Sequence, residues 1–318
     1  MMKFPHPRGY VCYRAESKIR LSGKIDDPSW KNAPWTETFI DIEGDLKPSP
    51  TWDTRVKMLW DDEFFYIAAK LTEPHVWATL TEHDSVIFHD NDFEVFIDPD
   101  GDNHQYYEYE INALGTDWDL RLVKPYRDGG PAVNEWEIPG LKKAVHVEGT
   151  VNDPSDEDEW WGVEMAFPWS VLAEFSKVPS PPVAGDQWRV NFSRVEWDVE
   201  VVGGEYRKIE GKPEHNWVWS SQHAVNMHRP EFWGYVQFSH MPPGTDEFQP
   251  DPSWETRMSL MQVYEKQKAY TREHGRWAST LKELGVETEA AFGLTDDGWQ
   301  ARLKGLHVRQ DSLIWKHR

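Results

Sequence analysis

Apolar and polar residues alternate in short runs through the first three quarters of the chain. These are VKMLW at 56–60, FFYIAAKL at 64–71, FEVFID at 93–98, YYEYEIN at 106–112, WGVEMAF at 161–167 and WRVNFSRVEW from Trp188. A period of two places successive side chains on opposite faces of a strand. In FEVFID it sends Phe93, Val95 and Ile97 toward a core and turns Glu94, Phe96 and Asp98 the other way. Turn-forming clusters separate the runs: Asp61-Asp62 reads as a hairpin turn, and Pro/Gly/Asp segments near Asp98, Gly129, Asp153 and Pro181 close others. Short strands with frequent turns predict an all-β fold, a two-sheet antiparallel β-sandwich of jelly-roll-like type.

The pattern changes after Phe238. MPPGTDEFQPDPS is rich in proline and has no apolar period, which predicts a linker over residues 243–253 that ends a sandwich spanning 1–242. From Trp254 to about His274 the spacing of Met258, Met261 and Tyr264 fits one helical face. Thr280 with Glu283 forms a capping-box pattern before a short second helix ending at Gly285, so residues 254–318 read as a helical C-terminal extension. Trp299, Leu303 and Trp315 give its tail enough apolar surface to pack on the main domain or on a partner.

Charge narrows the choice of partners. The 318 residues carry 34 Lys plus Arg against 55 Asp plus Glu, a formal net charge of -21 that repels nucleic acid and anionic membrane surfaces alike. The single cysteine, Cys12, allows no internal disulfide and no cysteine-based metal site, and reads as a buried structural thiol. No apolar run reaches the length of a membrane span, and MMKFPHPRGYVCYRA lacks the apolar region of a signal peptide. The 19 Trp and 11 Tyr exceed the needs of a core alone, so some are expected on a binding surface.

Two groups of acidic residues carry candidate chemistry. Asp98, Asp100 and Asp102 alternate around Gly101 and place oxygen ligands on a tight turn, which suits calcium or equally a solvated acidic turn. Glu94, Glu108, Glu110 and Asn112 fall on outward positions of two strands, where carboxylates repel one another unless a cation or ligand hydroxyls intervene. Paired carboxylates would also serve glycoside hydrolysis. His89, His104, His223 and His228 with Met227 invite a metal or heme reading, though no zinc spacing is present. Arg127 and Arg194 could read a uronic acid carboxylate, or pair with the many protein carboxylates.

The order of several motifs resembles the family 9 carbohydrate-binding modules, within a superfamily of sandwich domains that bind sugars or heme. The motifs are LSGKIDDPSWKNAPW, TRVKMLWDDEFFYIAAKLTEP, NDFEVFIDPDGD, YYEYEINALG, WWGVEMAFPWSVL, GDQWRVNFSRVEW and NMHRPEFWGYVQF, over roughly residues 19–238. The resemblance implies a calcium-bearing β-sandwich, not hydrolytic and located outside the cytoplasm, in which two tryptophans clamp a sugar. Phe88 and Met227 stand at those two positions here. Glu94 matches a sugar-binding carboxylate, Asn112 matches an amide, and Glu110 replaces an arginine; Glu73 matches a position associated with calcium. Trp118 and Trp219, near the two site segments, are the expected replacement stacking platforms, and Asn226, His228 and Arg229 the polar groups of the second segment. The expectation is noncatalytic binding of an oligo- or polysaccharide, in polysaccharide recognition or degradation. The rival is a heme- or cofactor-binding sandwich in electron transfer, and a third possibility is an interaction module built around the tail.

Overall fold

The computed structural model describes residues 4–316. In chain order its elements are β1 (Gly9–Arg14), β2 (Ile40–Asp41), β3 (Thr54–Trp60), β4 (Phe64–Thr72), β5 (Asp92–Asp98), β6 (Tyr106–Asn112), β7 (Asp117–Leu122) and β8 (Ala132–Val133). There follow β9 (Lys142–Glu148), β10 (Trp160–Pro168), the single turn α1 (Trp169–Leu172), β11 (Gln187–Glu196), β12 (Val199–Val202), β13 (Glu205–Lys208), β14 (His215–Val218) and β15 (Gly234–Ser239). The chain ends with helix α2 (Trp254–His274) and strands β16 (Ala291–Thr295), β17 (Gly298–Leu303), β18 (Leu306–Arg309) and β19 (Ile314–Lys316).

Alternation decides the core. Phe93, Val95 and Ile97 of β5, Tyr107, Tyr109 and Ile111 of β6, and Trp188, Val190 and Phe192 of β11 face Val56 and Met58 of β3, Phe65 and Ile67 of β4, and Trp161, Val163 and Met165 of β10. Two layers therefore close on one another as a β-sandwich. The strands follow one continuous path, β8-β7-β6-β5-β11-β15-β1-β3-β4-β10-β9, with β14 paired to β11 and to β2. The seam is β1. Its first five residues pair with β15 and its last two with β3, in parallel with both, so the sandwich is not purely antiparallel as the sequence suggests. Cys12 on this strand is fully buried, as expected for a structural thiol.

The predicted Asp61 turn joins β3 to β4, with the Asp61 carboxylate accepting from the backbone N–H groups of Glu63 and Phe64 at 2.7 and 2.8 Å. The 254–274 helix forms over the predicted length and ends at Gly275, whose φ of 66° supplies the left-handed cap. The second helix does not form. Thr280 and Glu283 make the reciprocal capping bonds, at 3.1 and 3.2 Å, but Gly285 stops the turn at once. The tail instead folds as the four-stranded sheet β16-β17-β18-β19, which buries Trp299, Ala301, Val308 and Ile314 against Leu260, Met261 and Tyr264 of α2. The 243–253 segment runs without regular structure, pinned to the sandwich by bonds such as Gln249 N–H to Gln237 at 2.9 Å and Asp246 N–H to the Tyr13 hydroxyl at 3.2 Å.

Candidate functional site

The outer faces of β5 and β6 carry Glu94, Phe96 and Asp98 beside Tyr106, Glu108, Glu110 and Asn112, in register with Glu94 opposite Glu110. Sequence pattern alone makes this an outward face; the structure covers it. Ile42, Val218, Met227 and Trp233 pack onto Phe96, Tyr106, Leu120 and Leu122, so a second small apolar cluster roofs part of the sheet. The roof is bonded down by Asn191 of β11, which exchanges amide bonds with Ser220, and by Arg189, which donates to the carbonyls of Glu231 and Trp233.

A cleft of about 380 Å³ remains between this roof and the strands. Eight of the candidate residues named from sequence line it together: Phe88, Glu94, Glu108, Glu110, Trp118, Asn226, Met227 and His228. Phe88, exposed at 37%, stands on a short 3-10 turn held from both sides. Its N–H donates to Glu110 at 3.1 Å and its carbonyl accepts from the Trp197 indole at 2.9 Å. His228 is fixed by the Tyr106 hydroxyl 2.9 Å from Nδ1, with the Tyr126 ring edge-on at 4.5 Å. Burial and then the Arg127 charge lower its pKa to about 4, so it is neutral at neutral pH.

The carboxylates are nearly buried, Glu94 and Glu108 at 5% exposure and Glu110 at 2%. Burial pushes Glu94 up to about 7, and burial together with the Glu94 charge raises Glu108, Glu110 and the adjacent Asp92. One oxygen each from Asp92, Glu94 and Glu110 lies within 4.8 Å of the others. Among the described residues, Asp92 Oδ2 and Glu108 Oε2 are buried with no hydrogen-bond partner. Such groups are expensive to leave unmet.

Two expected site residues lie elsewhere. Asn112 is fully buried at the end of β6 and spends its amide on Leu80 and Asp90, while its oxygen accepts from the N–H groups of Leu114 and Thr116. Trp219 is a core residue, not a stacking platform. Its ring leans on Gly234, where an added Cβ would fall 2.3 Å from it, and its indole donates to Glu37. The excess tryptophan is mostly core as well, with Trp30, Trp60, Trp161, Trp188, Trp233 and Trp299 also fully buried. Sequence reasoning passed over Glu214, Asn216 and Tyr126 as lining residues. Glu108 was visible through its alternation with Glu110, but nothing in the letters brings the Tyr126 and Glu214 loops over the sheet.

Arg127 and Arg194 do not face the cleft. Arg127 makes a bidentate pair with Glu231, at 2.8 Å for each bond, and Arg194 is buried between Glu73 and Glu196. Of the four histidines considered as ligands, His228 alone lines the cleft among the described residues. His104 Nε2 is tied 2.7 Å from the Asp311 carbonyl and the His223 ring lies tilted against Phe4, 4.6 Å between centroids.

The acidic turn does gather its carboxylates: one oxygen each from Asp98, Asp100 and Asp102 lies within 4.8 Å of the others. Asp98 accepts from the N–H groups of Gly101 and Asn103, and the Lys177 ammonium lies on Asp102 and 3.9 Å from Asp100. Burial, with the neighbouring carboxylates, still holds Asp98 and Asp100 above the usual carboxylate range. Three hard oxygen donors on one turn suit a calcium ion. Glu73 does not join them: the cation it holds is the Arg194 guanidinium, at 2.7 Å, and its other oxygen caps the His75 N–H.

Fold and cleft together are those of a β-sandwich binding domain. A family model described as "Carbohydrate family 9 binding domain-like" matches residues 21–236, and the chain belongs to that family. It is 25% identical over 152 residues to endo-1,4-beta-xylanase A of Thermoanaerobacterium saccharolyticum, a match covering 48% of this chain and 11% of that enzyme. The chain thus spans only a small part of this relative. A candidate carbohydrate-binding protein from Bacteroides uniformis superposes with a TM-score of 0.54 at 18% identity, over 73% of this chain and 100% of that one, and shares the fold. A family 9 module from Caldicellulosiruptor kristjanssonii in complex with cellotriose gives 0.49 at 14% identity, over 76% and 100% of the two chains. No helix among the described residues is long and apolar enough to cross a membrane.

Proposed function

We propose that this chain is a noncatalytic binding protein that holds a saccharide in the Glu94 cleft, outside the cytoplasm, in the recognition or breakdown of a polysaccharide. The observation that carries this reading is the joining of three aromatic walls, Phe88, Trp118 and Tyr126, to a floor of carboxylates in one 380 Å³ cleft on a domain of this family. Aromatic faces cover the C–H side of a pyranose, while carboxylates and the Asn226 amide meet its hydroxyls. Met227 adds a soft, non-planar contact at the second wall. The heme alternative finds one histidine in the cleft, already bonded to Tyr106.

Calcium belongs to this proposal at the Asp98, Asp100 and Asp102 turn, where it would displace the Lys177 ammonium and brace the end of β5. The test is titration of the purified chain against a broad glycan panel, repeated after EDTA treatment and after calcium replacement. Saturable binding to a saccharide is expected, together with a rise in melting temperature on adding calcium that Asp100→Asn removes. A blank panel would refute the binding reading, and a melting temperature indifferent to calcium would remove the metal.

A further inference from the structure

The cleft holds an imbalance of charge that a generic sugar site does not need. Four carboxylates line it, Glu94, Glu108, Glu110 and Glu214, and neither a lysine nor an arginine does among the described residues. The cations nearby are committed: Arg127 to Glu231, Arg194 to Glu73 and Glu196, and Lys208 to the face of Trp197 at 3.6 Å. The one histidine present is neutral. A second observation is independent of the count. Glu108 is 5% exposed, lines the cleft, and keeps its Oε2 without any partner. A buried oxygen left unmet on a side chain that lines the cleft makes this carboxyl costly to keep as an anion, and one surrounded by like charges gains most from a nearby cation.

Resting on the saccharide reading above, we propose that the ligand is an aminated saccharide, whose protonated amine sits among Glu94, Glu108 and Glu110 while its ring lies against Phe88 and Trp118. An ammonium has three N–H donors, one for each carboxylate, and the Phe88, Trp118 and Tyr126 rings add cation–π attraction at the rim. The arrangement rejects uronic acids and sulfated sugars, because no group in the lining compensates an added negative charge.

The same arrangement gives a pH signature. Facing the amine are Asp92 and Glu94 from β5, Tyr106, Glu108 and Glu110 from β6, Tyr126 with Arg127 behind it, Glu214 before β14, and His228 on the roof, with Asp90 beyond Asp92. Of these, Glu94 titrates near neutrality, at about 7, and its ionised form is the one that attracts the ammonium. Binding therefore strengthens from about pH 5 toward neutrality as Glu94 ionises and falls again where the ligand amine loses its proton, whereas a neutral sugar has no such high-pH limb and gains little from the Glu94 charge.

The test uses the full chain and calorimetric titration with a glucosamine tetramer, its fully N-acetylated counterpart and cellotetraose, with and without EDTA. Expected is binding of the glucosamine tetramer about tenfold or more tighter than of either neutral oligomer, weakened by salt and unaffected by EDTA. Glu108→Gln, which keeps the shape and removes the charge, should erase that preference. The wild-type series stands whether or not this variant folds. Equal or tighter binding of a neutral tetramer would overturn the amine and leave the saccharide reading intact. Sugar binding that is lost with EDTA and restored by calcium at the cleft would overturn it in favour of a bridging cation. No binding to any of the three, with none across the broader glycan panel, would sink both readings.

Discussion

Glu94 shows what the cleft costs in stability. Its carboxyl titrates at about 7 in the folded chain because burial penalises the anion, against an ordinary value of 4.5. A group whose pKa is raised by folding binds its proton more tightly in the native state. The native state is therefore not penalised at a pH below the ordinary value, and loses stability as pH rises from 4.5 toward 7. Above that window the full penalty applies, on the order of 3 kcal/mol for a shift of this size. Glu94→Gln removes the charge and should raise the melting temperature of the ligand-free chain above about pH 8 while changing it little near pH 4. Thermal melts of both forms at the two pH values check this. A variant that is destabilised equally at both would mean that the Glu94 anion is compensated in the folded chain. A bound cation would reverse the sign at high pH, because the ion-paired carboxylate then stabilises the native state.

At the level of elements, Glu164 is the clearest case of one buried charge organising a segment. It lies fully buried on β10 and accepts from the Trp30 indole at 2.6 Å and from the backbone N–H groups of Ser22 and Ile25 at 2.9 and 3.2 Å. The irregular stretch before β2 is thereby tied across the sheet, and it comes so near that a Cβ on Gly162 would fall 2.5 Å from the Gly23 carbonyl oxygen. Glu164→Ala leaves the indole and two backbone donors without their acceptor and should cost about 3 kcal/mol in denaturant unfolding, while Glu164→Gln keeps one acceptor and costs less. Equal losses in the two variants would mean that packing, not the bonds, holds the segment. Elements of this kind explain what the letters revealed. Strands with a strict period of two, such as β5 and β6, were legible to within a residue or two, and so were the outward placement of Glu94, Glu108 and Glu110 and the helix α2. The roof over those carboxylates was not, because it depends on long-range bonds such as Asn191 to Ser220. Nor was the fate of Asn112, whose amide serves the loop around Asp90. The strands of the tail are not legible because Phe292, Trp299 and Val308 sit in strands of only four to six residues joined by tight turns, and the capping-box motif ahead of them points to a helix.

Over the whole molecule, the C-terminal extension is built into the cleft's support. Asp128, on the short turn after β7, has a fully buried carboxylate held by Tyr264 and Lys268 of α2, at 2.7 and 3.0 Å, and by the Ser312 hydroxyl at 2.6 Å. The Lys268 ammonium also reaches the Arg127 carbonyl at 2.7 Å, and Arg127 in turn grips Glu231 beneath the roof. One residue earlier, Tyr126 forms a wall of the cleft and meets the His228 ring. The acidic turn is engaged from the same side, with Arg257 donating to the Gly101 carbonyl at 3.0 Å and the Ile314 N–H to the Asp102 carbonyl at 3.1 Å. A tethered, independent tail would have no reason to place these contacts on the loop that carries Tyr126 and on the turn that ends β5. Asp128→Ala should therefore lower stability by about 2 kcal/mol, since it strands a partly buried ammonium and two hydroxyls. It should also weaken glycan binding several-fold although Asp128 lies outside the cleft lining. Breaking the exposed Arg276 to Glu283 pair of the same extension by Arg276→Ala provides the contrast and should leave both quantities essentially unchanged. If Asp128→Ala lowers the melting temperature and leaves the glycan affinity untouched, the extension stabilises the fold without shaping the site. A parallel loss of both is what coupling through Tyr126 and Arg127 requires.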